Sequence, residues 1–67
     1  MKGTTKDGNV WYQIRLKDHN GYHIFKYKDN QTDRKLFPNG WEYLLCDPEE
    51  DEVINVYRSL KELKEAI

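Results

Sequence analysis

Three side chains of this 67-residue chain could hold a metal through nitrogen or sulfur: His19, His23 and Cys46. Zinc sites are built from ligand pairs at short fixed spacings within one element. The two histidines stand four apart, a spacing that aligns side chains on a helix, but Asn20-Gly21 lies between them and marks a hairpin turn. The pair is therefore split over two strands, and neither a metal nor another cofactor is expected. His23 reads instead as a hydrogen-bonded, partly covered histidine near the end of a sheet.

Nucleophilic and acid–base chemistry find no better footing. Cys46 and Ser59 carry no signature of an activated nucleophile around them. The acids Asp47, Glu49, Glu50, Asp51 and Glu52 are nearly consecutive, which spreads them around a helix rather than facing two across a cleft. Gly3, Gly8, Gly21 and Gly40 stand singly, so no glycine-rich phosphate loop exists. No catalytic residue is expected, and the chain reads as a binding module, not an enzyme.

The pattern above background is a set of cations with aromatic and aliphatic neighbours: Trp11, Arg15, Lys17, Ile24, Lys26 and Lys28. Placed together on one strand-pair face, they would leave like charges side by side with no acid between them, which costs stability unless a partner offsets it. Another protein is the leading expectation, since an aromatic in a basic surround resembles an interface hot spot. Nucleic acid is the alternative, with the cations on phosphates and Trp11 or Tyr22 against bases. A pI near 6.1 weighs against the alternative, because nucleic-acid modules are usually strongly basic. Usage rich in Lys, Asn, Asp and Tyr in so short a chain fits a bacterial or phage accessory protein, an inhibitor or adaptor.

The elements that must position these residues follow from periodicity. Val10 to Lys17 alternates, with Val10, Tyr12, Ile14 and Leu16 on one side and Trp11, Gln13, Arg15 and Lys17 on the other, a half-buried strand. Tyr22 to Lys28 alternates as well. A two-residue Asn20-Gly21 loop pairs Leu16 with Phe25, and a four-residue loop pairs Ile14 with Phe25. Both give the same faces, because a slip of two preserves them. The expected inner face is Val10, Tyr12, Ile14, Leu16, Phe25 and Tyr27. The outer face then holds Trp11, Arg15, Lys17, Ile24, Lys26 and Lys28. A short strand over 34–37 and another over 41–46, separated by Pro38-Asn39-Gly40, complete the sheet.

The last third reads as a helix over 48–66. Asp47-Pro48-Glu49-Glu50 has a carboxylate at the N-cap and proline at the first helical position. Val53, Val56, Tyr57, Leu60, Leu63 and Ile67 fall on one stripe about 120° wide. A second reading competes: Val53-Ile54-Asn55-Val56-Tyr57 is β-branched and aromatic, and Ser59-Leu60-Lys61-Glu62 is itself a capping box, so a strand feeding a short helix fits too.

The expected fold is α+β: a three- or four-stranded antiparallel β-meander over 10–46 with one C-terminal helix on one face, in two layers, in a single domain 1–67 whose first nine residues form a flexible lead-in. Such a sheet with one helix resembles the DNA-binding domains at some integrase N-termini, which implies duplex contact through the sheet. Length puts the chain near the lower limit for a self-sufficient hydrophobic core. No apolar run reaches membrane-spanning length and no signal-peptide core follows Met1, so no membrane contact and a cytoplasmic location are expected; a single cysteine fits a reducing compartment. The net charge of −1 hides a polarity: residues 1–36 carry a net +4 and residues 37–67 a net −5.

Overall fold

The computed structural model describes all 67 residues. Five antiparallel strands lie side by side in chain order: β1 (Lys2–Thr4), β2 (Val10–His19), β3 (Tyr22–Asp29), β4 (Glu42–Cys46) and β5 (Val53–Tyr57), followed by the helix α1 (Leu60–Ala66). This is the expected α+β meander with a C-terminal helix. It has five strands rather than three or four, because the sheet gains one at each edge. The lead-in is not a free segment: Lys2, Gly3 and Thr4 pair with Tyr12, Trp11 and Val10. Residues 34–37 form a turn instead of a strand, with the Phe37 N–H donating to the Asp33 carbonyl at 2.8 Å.

The continuous helix over 48–66 does not form; the strand-then-helix reading holds. Asp47 does cap a turn, its Oδ1 accepting from the N–H groups of Glu49 at 2.7 Å and Glu50 at 3.2 Å. That turn closes after one round, where Asp51 enters the left-handed region at φ 56°. Val, Ile, Asn, Val and Tyr then follow, all weak helix formers, and in extended form they pair with β4 as Tyr43↔Tyr57, Leu44↔Val56 and Leu45↔Asn55. Ser59 is the true N-cap. Its φ is −151° and its Oγ accepts from the Glu62 N–H at 3.1 Å. Arg58 reaches over this first turn to Glu62 at 2.7 Å, which holds the Glu62 carboxyl below its ordinary range.

The largest correction concerns the faces of the first hairpin. Asn20 and Gly21 form the turn, both at positive φ (51° and 84°), as a type I′ turn requires. His19 pairs with Tyr22, but the next regular pair is Leu16↔Ile24. Lys17 and Asp18 therefore oppose His23 alone, a β-bulge. One extra residue in β2 is a slip of one, not two, so the two strands exchange phase. Leu16 faces Ile24 and Ile14 faces Lys26, while Arg15 faces Phe25 and Gln13 faces Tyr27. Phe25 and Tyr27 thus leave the expected inner face, and Ile24, Lys26 and Lys28 join it.

The core sits where this corrected phase brings apolar groups together. Ile24, Leu45 and Leu63 are its buried centre, with Leu16, Tyr22, Tyr43, Tyr57, Leu60 and Ile67 packed against it. The helix therefore roofs the β3–β5 half of one sheet face, around Ile24 and Leu45. The same face around β1, β2 and the far ends of β3 and β4 has no roof, and the opposite face has none at all.

Candidate functional site

The six residues expected on one outer surface do not share one. Ile24 has no exposed surface and belongs to the core. Lys26 and Lys28 lie on the helix side of the sheet, in register with Ile14 and Tyr12. Arg15 and Trp11 lie on the helix-free side, and Lys17 occupies the bulge.

On the helix side, beyond the helix, a lysine–aromatic patch forms. Lys28 is the cross-strand partner of Tyr12, which is also the partner of Lys2. The Lys28 ammonium stands 5.1 Å from the Tyr12 ring centre and 4.6 Å from that of Trp41, Lys26 stands 4.5 Å from Trp41, and Lys2 stands 5.5 Å from Tyr12. These are cation–π distances. The ion pairs of the chain engage Arg15, His23 and Arg58, so none of these lysines is neutralised by a carboxylate.

Next to the patch, the 30–41 loop closes the end of the sheet around a concavity of about 360 Å³, lined by Tyr12, Lys28, Asp29, Asn30, Thr32, Arg34 and Gly40. Gly40, at φ 78°, lies beneath the Arg34 guanidinium, whose Cζ would stand 3.6 Å from any Cβ there. Asp29 is fixed by several hydrogen bonds: Tyr27 Oη donates to its Oδ2 at 2.8 Å, the Gln31 N–H donates to its Oδ1 at 2.7 Å, its own N–H donates to Thr32 Oγ1 at 2.9 Å, and the Thr32 N–H donates to its carbonyl at 3.3 Å. The Tyr27 hydrogen bond foremost lowers the Asp29 carboxyl pKa, and the same bond pushes the Tyr27 phenol up to about 12. Trp41, Arg34 and this loop are not singled out by the sequence, because residues 30–41 carry no strand periodicity and Trp41 meets Lys26 and Lys28 only through the pairing of β3 with β4.

The helix-free side is different in kind. Phe25, Leu44 and Val56 stand in one cross-strand row over β3, β4 and β5. Tyr27 and Glu42 form the next row, and His23 and Cys46 the row on the other side. Trp11 covers Gly3, its partner on β1, so closely that a Cβ on Gly3 would stand 2.7 Å from the indole Nε1. The anchor residue of the sequence reading is therefore spent on closing the sheet edge.

His23, expected as a hydrogen-bonded and partly covered histidine, is hydrogen-bonded on the open side of the sheet. Its Nδ1 is 2.9 Å from Asp51 Oδ1, and its Nε2 is 4.0 Å from Asp18 Oδ2, tying the acidic 47–52 turn to the bulge. Cys46 is buried beside it, and burial, with the Asp51 charge, raises its thiol pKa. No three His, Cys, Asp or Glu side chains gather as a metal-holding group, and no helix is long and apolar enough to cross a membrane. No protein-family model, curated protein or solved structure shows significant similarity to the chain.

Proposed function

We propose that this chain is a non-enzymatic binding module, of the adaptor or inhibitor kind, that grips another protein through the helix-free face of its sheet. The observation that carries the reading is the row Phe25–Leu44–Val56, which spans three strands without a covering layer. Val56, at the edge of that row, is 38% exposed, and Val53, in the neighbouring row beside Cys46, is 52% exposed. An apolar row rimmed by Arg15, Gln13, Tyr27 and Glu42 has the make-up of an interface core with a polar rim. Burying it would remove apolar surface from water at roughly 25 cal/mol per Å² before the costs of association. A buried free thiol at Cys46 fits a cytoplasmic, reducing setting for the module.

The test is capture from a host lysate by the immobilised chain and two double variants, all with nuclease treatment. Leu44→Lys with Val56→Lys is expected to abolish capture of a defined protein, whereas Lys26→Gln with Lys28→Gln is expected to retain it. Capture that survives the first pair and fails with the second would overturn the reading.

A further inference from the structure

We propose that the lysine–aromatic patch of Lys2, Tyr12, Lys26, Lys28 and Trp41, with Arg34 at its border, is a binding site for single-stranded nucleic acid. It lies on the opposite side of the sheet from the Phe25–Leu44–Val56 row and stands independently of it.

Charge is the first observation. Lys26 and Lys28 share one indole, 4.5 and 4.6 Å from its centre, with no carboxylate paired to either. Two ammonium groups gathered at one ring without a counter-charge repel, and a phosphate within reach of both would offset that repulsion. The ring holds each of them without neutralising it.

Shape and hydrogen bonding are the second. The adjoining concavity of about 360 Å³ is at the lower end of the roughly 300–1,000 Å³ of ligand sites, room for about one nucleotide. Its lining includes the aromatic Tyr12, the cations Lys28 and Arg34, and the polar Asn30 and Thr32. The fitting ligand therefore carries negative charge, a planar ring and hydrogen-bonding groups together. A nucleotide has all three: phosphate for the lysines, a base to take their place on the Tyr12 ring as they turn to the phosphate, and polar base edges for Asn30 and Thr32. An acidic peptide supplies the charge without the base. The strand must be single, because a base inside a duplex cannot lie on a protein ring.

The experiment titrates the full chain with a labelled single-stranded oligonucleotide of mixed sequence, the matching duplex, and a poly-glutamate peptide, at several salt concentrations. Saturable binding is expected to the single strand above both competitors. With about four cations reaching phosphates, log affinity against log salt should slope no steeper than about −2.8. Tyr12→Leu should weaken binding roughly five- to hundredfold, the loss of one stacked base. Lys26→Gln with Lys28→Gln should reduce the salt slope by about half. As a readout that needs no variant, the backbone amides of Lys2, Tyr12, Lys28, Arg34 and Trp41 in the unaltered chain should shift on adding the oligonucleotide. No saturable single-strand binding, shifts centred elsewhere, or equal binding of poly-glutamate would overturn the proposal.

Discussion

Trp11 owes its position to a residue with no side chain. Gly3 leaves the space that the indole fills, and the pair closes the β1 edge of the sheet. Gly3→Ala should push the ring off its strand and lower stability by about 1 kcal/mol, measured by denaturant unfolding. Tyr27 and Asp29 make the second residue-level statement. The folded state holds the Tyr27 proton to about pH 12, above the ordinary value near 10. The folded state thus binds a proton that the unfolded state has already lost, so this contribution is whole below pH ~10 and disappears as pH rises through the folded value. For Asp29 the sign is opposite: its folded pKa is lowered, so its contribution is whole above pH ~4 and fades as pH falls below that. An ultraviolet titration should show one of the five tyrosines ionising near pH 12, and Tyr27→Phe should remove that late phase.

The last helix is half as long as its apolar stripe implies, and its interior shows why. Leu63 is fully buried against Ile24 and Leu45, so Leu63→Ala should cost about 2–5 kcal/mol in denaturant unfolding. Ser59→Ala removes the cap on the Glu62 N–H and should cost about 1 kcal/mol. The sequence made the alternation of β2, the Asn20-Gly21 turn and the β2–β3 antiparallel pairing legible, and it contained both readings of 53–57. Spacing favoured the helix because the residues at 53, 56, 57, 60, 63 and 67 fall on a stripe whatever their backbone does. The β-branched composition of Val53-Ile54-Asn55-Val56-Tyr57 was the stronger signal, since extended backbone also pairs with β4. The bulge left no such trace: Lys17 and Asp18 are polar on either phase, so nothing local reports a slip of one. That single residue decides which face receives Ile24, Lys26 and Lys28, and it is why the sequence sets them on the side of Trp11 and Arg15 when they lie on the other. Deleting Lys17 should remove the bulge and set Asp18 alone opposite His23, with Leu16 still opposite Ile24. The cooperative unfolding transition is therefore expected to persist in denaturant, and its loss would mean that the register depends on the bulge itself.

Taken whole, the chain is a thin slab, 35 × 27 × 16 Å between its Cα extremes, thick enough for a sheet and one helix and for no third layer. Its two sides differ in chemistry. The helix side carries the core and, past the helix, unpaired lysines over aromatic rings. The other side carries an apolar row with a mixed polar rim. The charge polarity of the sequence, net +4 before residue 37 and −5 after it, sets basic strands β2 and β3 against the acidic 47–52 turn, and His23 bridges the two through Asp18 and Asp51. On this account the open side meets a protein partner. Methyl spectra of the leucine- and valine-labelled chain, recorded with and without the protein it captures, test this face by face. Leu44 and Val56 should shift or broaden while Leu16, Leu60 and Leu63 stay in place. Perturbation confined to the helix-side methyls, with Leu44 and Val56 unmoved, would contradict it.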